Sequence, residues 1–503
     1  MTGAVAAPAA PTAPDLTARI HFAGAGQVSA DTNAVAFTNL WCSPDARALR
    51  NQTLNKLSHA PYAWFQTKLA PGVDDGANQL RPLLDDLLSA EWFLQVRDGT
   101  NGSPEYALAI HLDAGRAQLW QTNLAKVLEV WTGMAVEKSP NGWELKKHLP
   151  PNLIRFLRVG DWAVFGCGQD TLQLNDELAR HVKTDKRPAP AERHAWLTAD
   201  LNWPRLAHWL AWTNASDWPE TQLQVSTRPG KLQLEGRLIF PQPPAWRLDP
   251  WRFPTNLIHQ PIVSLIAVRG VRPWLAEQSP LAAFTDWLPN QCFAWALEGI
   301  PFQTFAAAPV ANATNALREL HQTLFASLNT NLQSLDLGSF QLATNGAEIK
   351  WRGLPFVAPF LQAEREPSGE FLFGGFFPDS PASEPLPASL FAEVDRTNLA
   401  YYHWEVTAER LPQVLNLSQL ALMFAGRQQL NTKSVAGKWL LHCAGTTPGN
   451  AVTEITRTGP KVLTFLRRAP DGLTAAELVA LAQWLEMTNF PAGGFHLPPR
   501  VGN

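Results

Sequence analysis

A near-constant internal spacing constrains the fold of this chain more than any single motif. Asn141-Gly142-x-Glu144-Leu145-Lys146 returns as Asn345-Gly346-x-Glu348-Ile349-Lys350, an offset of 204. Trp120, Leu124 and Leu128 map at the same offset of 204 onto Leu324, Leu328 and Leu332. Asp98-Gly99 answers to Glu298-Gly299 at 200, and Val164-Phe165-Gly166 to Leu372-Phe373-Gly374 at 208. Asp200, Arg205 and Leu206 answer to Glu405, Arg410 and Leu411 at 205, and Gly230-Lys231 to Gly437-Lys438 at 207. Matches in one order, with drift confined to loop-like segments, are the mark of tandem repetition. The expected class is α+β: a tandem duplication of a mainly antiparallel sheet with helices packed on one face, plus a short C-terminal helix.

The expected division is a disordered Ala/Pro tail over 1–16, a first half over 17–245, a second half over 255–450, and a tail over 451–503 carrying a helix at 475–487. Pro241–Pro254 is rich in Pro, which cannot donate to a strand ladder, so it reads as the extended boundary. In the first half Ser43 and Pro44 open a helix to about Leu57, another covers Gln79–Ser89, and a third runs from about Arg116 to Trp131. The last carries Trp120, Leu124, Val127, Leu128 and Trp131 at helical spacing. A helix over Thr171–Val182 precedes a linker at Lys183–Glu192, and Pro229-Gly230 turns a hairpin between Gln222–Thr227 and Lys231–Phe240. In the second half Ala313–Leu328 places Leu317, Leu320, Leu324 and Leu328 on one face. Lys438–Cys443 is expected to repeat the closing strand, and Thr474-x-x-Glu477 is a capping box for the last helix.

Composition narrows the function. Charged residues are 17% of the chain, net charge is −3 and no long run has one sign, so the basic face of a nucleic-acid binder is not expected. No apolar run reaches the ~18–20 residues that span a bilayer. Trp, at 21 residues, suits cores, glycan platforms and membrane interfaces alike. Core spacing favours burial for Trp120, Trp131, Trp162 and Trp196. The four Cys, at 42, 167, 292 and 443, form no Cys-x-x-Cys pair and occupy unmatched places in the halves, so they read as isolated thiols. Ala4-Val5-Ala6 before Ala7-Pro8 resembles a signal-peptide cleavage region without the basic and apolar regions that precede one, so it reads either as a disordered Ala/Pro tail or as the end of a signal peptide, and the expectation taken is export.

The motifs that mark chemistry are weak. Gly24-Ala25-Gly26-Gln27-Val28-Ser29 has Ser where a dinucleotide loop needs its third Gly, and reads as a plain turn. Gly437-Lys438 is followed by Trp439, so it is no phosphate loop. His111 and Asp113 share one face of a strand end, yet the second half has only Ala and Pro there. His442 and Cys443 would face opposite ways on a strand. The repeated residues Asn141, Gly142, Glu144, Lys146, Asn345, Gly346, Glu348 and Lys350 have a structural meaning. Asn-Gly makes a tight turn with φ > 0, and Glu and Lys two apart share the exposed face of a strand. No catalytic, cofactor-binding or metal-ligating residue is assigned.

Two stretches carry a resemblance. Asn33–Pro44 reads Asn-x-x-Ala-Phe-x-x-Leu-Trp-x-x-Pro, followed by Leu-Arg-Asn-Gln-Thr-Leu-x-Lys-Leu at Leu49–Leu57. With the tail Gly472–Leu485, this resembles large exported bacterial proteins that carry duplicated domains of unknown function. The resemblance implies a periplasmic or secreted location and transfers no activity. The expected function is a non-enzymatic binding or scaffold protein for an apolar ligand, a glycan or a protein partner. The alternatives are a hydrolase with an unmarked carboxylate pair, such as a glycosidase, and a structural subunit of a larger assembly.

Overall fold

The computed structural model describes residues 16–65, 75–99, 103–146, 152–169, 171–192, 194–209, 217–278, 281–284, 286–299, 303–334, 337–353, 357–377, 386, 388–424, 429–488 and 490–491. The Ala/Pro tail and its cleavage-like residues lie outside them. The chain divides into two compact units, residues 1–242 with 484–503, and residues 243–483.

In the first unit the strands are β1 (Leu16–Phe22), β2 (Trp92–Asp98), β3 (Pro104–His111), β4 (Glu137–Ser139), β5 (Gly142–Lys146), β6 (Leu153–Val159), β7 (Trp162–Gly168), β8 (Leu197–Asn202), β9 (Glu220–Arg228) and β10 (Lys231–Ile239). They pair antiparallel in the order β4-β5-β6-β7-β3-β2-β1-β8-β9-β10. The helices are α1 (Ala25–Ala30), α2 (Val35–Trp41), α3 (Pro44–Phe65), α4 (Ala77–Ser89), α5 (Ala114–Thr132), α6 (Gln173–Asp185) and α7 (Trp203–Trp209).

In the second unit the strands are β11 (Ile262–Arg269), β12 (Gln291–Leu297), β13 (Thr304–Val310), β14 (Ser339–Leu342), β15 (Glu348–Arg352), β16 (Phe360–Glu366), β17 (Gly369–Gly375), β18 (Leu399–Val406), β19 (Asn450–Gly459) and β20 (Val462–Ala469). Their antiparallel order, β14-β15-β16-β17-β13-β12-β11-β18-β19-β20, repeats that of the first unit strand for strand. Its helices are α8 (Arg272–Glu277), α9 (Ala313–Leu320), α10 (Ala326–Ser334), α11 (Ala388–Val394), α12 (Thr407–Phe424), α13 (Val435–Thr446) and α14 (Ala475–Glu486).

The α+β class and the antiparallel sheet hold, but the helices flank both faces of each sheet. On one side of the first sheet Ile110, Ile154 and Phe156 pack with Leu83 of α4 and Trp120, Val127 and Leu128 of α5. On the other, Phe93, Ala107, Ala109 and Val164 pack with Leu174, Leu178 and Val182 of α6. Alternate residues of β3 thus enter different cores, as strand geometry requires. The second unit does the same, with Leu317 and Leu320 of α9 against Ile349 and Leu372, and Val394 of α11 against Phe305, Phe371 and Phe373.

Register corrects two of the sequence matches. Tyr106 lies opposite Cys167 and Ala306 opposite Gly374, so β7 answers to β17 at an offset of 207, not 208. A one-residue slip would turn every side chain to the other face. Gly437-Lys438 lies inside α13, not on a closing strand. The β9–β10 hairpin is answered instead by β19–β20, whose strands fall in the stretch expected to be a tail. For the same reason His442 and Cys443 are helix neighbours.

Smaller departures have local causes. The segment after Gly24 is the short helix α1, entered through Gly24 at φ +89°, rather than a plain turn. α6 runs on to Asp185, into the expected linker, and ends on Lys186 in a left-handed conformation. Between α9 and α10 a π-helical segment, His321–Phe325, interrupts the long helix. Each added residue turns the face by ~100°, and Leu328 is therefore 38% exposed instead of joining Leu317 and Leu320 inside. The four cysteines are free thiols.

Candidate functional site

The repeated signature builds two matching strand hairpins. In β5 Leu145 is buried, while Glu144 accepts from Lys146 (3.2 Å) and Arg155 (2.8 Å). In β15 Ile349 is buried, and Lys350 pairs with Glu348 at 2.7 Å. The Arg155 guanidinium and Lys146 hold Glu144 below the ordinary carboxylate range, against the upward push of burial. These are ion pairs on strand surfaces, worth ~0–1 kcal/mol each. Asn345 and Gly346 form a loop in which Gly346 takes φ +69°. Gly142 does not take positive φ; it is needed because a Cβ there would lie 1.8 Å from the Phe156 carbonyl oxygen. Asp113 is the N-cap of α5, accepting from Arg116 N at 2.8 Å, which explains the His111–Asp113 neighbourhood without chemistry.

Strand carboxylates recur at helix starts. Glu105 of β3 accepts the Leu174 N–H of α6 at 2.6 Å and the Arg97 guanidinium at 3.1 Å. Glu370 of β17 accepts the Ala313 N–H of α9 at 2.9 Å. Glu405 of β18 accepts the Ala475 N–H of α14 at 2.7 Å. A helix N-terminus leaves donors without intrahelical partners and carries partial positive charge, so a strand carboxylate both satisfies and attracts it. Asp86 of α4 plays a related part, taking Trp120 Nε1 and Arg116 Nη2, each at 2.7 Å, and so tying α4 to α5.

The densest ionisable group surrounds Glu405. It also accepts from the Thr407 hydroxyl at 3.1 Å, and its second oxygen lies 3.3 Å from His403 Nε2. Burial alone would raise its pKa, but His403, the Ala475 N–H and Thr407 together hold it below the ordinary range. Asp471, in the turn before α14, has the opposite fate. Burial pushes it up to about 6, the Leu473 N–H and the Thr447 hydroxyl pull back weakly, and the charge of Glu405 pushes further. Arg467 is engaged elsewhere, forming a two-pronged pair with Glu477 at 2.7 and 2.9 Å and donating to Thr453 at 2.9 Å. The capping box read from the sequence is present: Thr474 N donates to Glu477 at 2.9 Å and Glu477 N to Thr474 Oγ1 at 3.4 Å.

Two acids with pKa values driven apart are the arrangement an acid–base pair uses. Here Glu405 and Asp471 are 2% and 8% exposed. A small apolar notch in the same unit is lined by Trp246, Leu248, Arg457 and Leu463, with neither acid in its wall. The sequence carried a partial signal for this group in His403-x-Glu405, which alternation places on one strand face. Nothing in it announced that Asp471, 66 residues on, would join them. Among the described residues no group of three or more His, Cys, Asp or Glu is placed to hold a metal ion. Nor, among them, is any helix long and apolar enough to cross a membrane. Cys292 is half-buried, and desolvation of its thiol pushes it up to about 11.

Comparison with known protein families, with curated proteins and with solved structures gives no match.

Proposed function

We propose that this chain is an exported, non-enzymatic binding or scaffold protein whose two like units engage an apolar ligand, a glycan or a protein partner. The observation that carries this reading is the employment of the buried carboxylates. Glu105, Glu405 and Asp86 each hold a helix in place through hydrogen bonds, which is structural work. Aromatic surface is left outside, with Trp274 at 59% and Trp218 at 40% exposed, and exposed aromatics favour recognition. The export component rests on the resemblance of the Asn33–Pro44, Leu49–Leu57 and Gly472–Leu485 stretches to exported bacterial proteins. Native mass spectrometry of the protein purified gently from its own cells tests the reading. A defined extra mass, released and identified, is the expected result; a bare chain with no associated ligand or partner overturns it.

A second reading, a hydrolase, is favoured by the divergent Glu405 and Asp471. It requires that hydrolysis by the intact protein be abolished in both Glu405→Gln and Asp471→Asn, with folding retained. Loss in neither removes this reading.

A further inference from the structure

Three helix ends converge on the Glu405–Asp471 pair. Thr407 begins α12, Thr447 follows the last residue of α13, and Ala475 begins α14. Glu405 is bonded to the first and third of these, and Asp471 accepts from Thr447 Oγ1 at 3.4 Å and from Leu473 N at 3.3 Å. Among the described residues no charged donor is a partner of Asp471. The surrounding elements carry Tyr401, Tyr402, His403 and Glu405 on β18, Glu409 and Arg410 on α12, Lys438, His442 and Cys443 on α13, Arg467 and Arg468 on β20, and Glu477 on α14. Of the cations, Lys438 and Arg468 are exposed, Arg467 is held by Glu477 and reaches the Gly472 carbonyl at 3.4 Å, and Arg410 donates to Gln413 at 2.7 Å. Two enclosed carboxylates, of which only Glu405 has an imidazole beside it, cannot both be ionised without large cost. The proton therefore belongs to Asp471.

We propose that Asp471 is a proton-operated latch for α14: protonated, it lets the 470–474 turn close and pins the start of α14 to Glu405 on β18, and ionised, it loosens that turn. The direction follows from linkage. Folded Asp471 takes its proton near pH 6, whereas the open form takes it near the ordinary 3.8. The closed state binds more protons in that window, so closure strengthens as pH falls from about 7 towards 4 and the gain is lost as pH rises through about 6. Glu405, held below its ordinary 4.5, opposes this only at pH below that value. The two windows are separate.

Hydrogen exchange of the intact protein between about pH 4.5 and 7.5 tests the latch, with each rate divided by that of the unfolded chain at the same pH. The expected result is a rise of roughly tenfold or more in protection of the first turn of α14 across this fall in pH. In Asp471→Asn, which is neutral throughout, protection should be high and flat. A flat wild type, or an Asp471→Asn protein that keeps the step, overturns the proposal. Should that variant not fold, carboxyl NMR titration of the wild type decides: an Asp471 resonance titrating near 6 supports the latch, and one titrating near 4 sinks it.

Discussion

Gly142 and Gly346 occupy the same place in the repeated signature for different physical reasons. At Gly346 the backbone takes φ +69°, and the nearest atom to an added Cβ is Arg318 Nη2 at 3.6 Å. The cost of Gly346→Ala is therefore conformational, about 1–2 kcal/mol for placing an L-residue in the left-handed region. At Gly142 the obstruction is a backbone carbonyl 1.8 Å from the added carbon, which cannot rotate away. Gly142→Ala must push β5 from β6 and should cost more, about 2–3 kcal/mol or above, as overpacking does. Denaturant midpoints of the two variants check the ordering; equal losses would contradict it. The Asn-Gly dipeptide was legible in both halves as a turn signal. The distance to Phe156 was not, because it is set by the approach of a neighbouring strand rather than by the residues of the turn.

At the scale of elements, the long helices of the two units show what periodicity can and cannot reveal. α5 is continuous from Ala114 to Thr132, capped by Asp113 and ended by Gly133 at φ +67°. Its counterpart is broken by the π segment at His321–Phe325. In an unbroken helix Leu317 and Leu328 would be about three turns apart on nearly one face. In this one Leu317 is fully buried and Leu328 is 38% exposed. Leu317→Ala should then cost about 2–4 kcal/mol, and Leu328→Ala well under about 1 kcal/mol. Thermal or denaturant unfolding of the pair decides, and comparable losses would mean that the face is not rotated. The apolar spacing was visible in the sequence, while a π insertion leaves the spacing of letters unchanged. Double-sided burial of the sheet had a signal of its own. Ala107-Leu108-Ala109-Ile110 is an uninterrupted apolar run, as strands covered on both faces show, although the polar-flanked hairpins invited a one-sided reading.

At the scale of the whole chain, the duplication was recoverable wherever loops changed little and was lost where an element was inserted. Between β8 and β9 the first unit has α7, whereas between β18 and β19 the second has both α12 and α13. That insertion carries the closing hairpin to Pro460-Lys461, beyond the 207 offset that had paired Gly230-Lys231 with a helix. The strand order nonetheless repeats, and each unit has cores made of its own residues. Phe156 is fully buried among Ile154, Leu145 and Trp143 of the first unit. Phe373 is 1% exposed and stacks on Trp295 of the second, with ring centres 5.7 Å apart. Truncating either to Ala removes buried surface and leaves a cavity, a loss of about 3–5 kcal/mol. Because the neighbours that lose contact belong to one unit, the loosening should be confined there. Phe156→Ala is expected to speed amide exchange in β5, β6 and β7 while β15, β16 and β17 keep wild-type protection, and Phe373→Ala to do the reverse. Equal acceleration in both sheets from either substitution would show that the two cores open as one cooperative body, and the division into separately stabilised repeats would have to be abandoned.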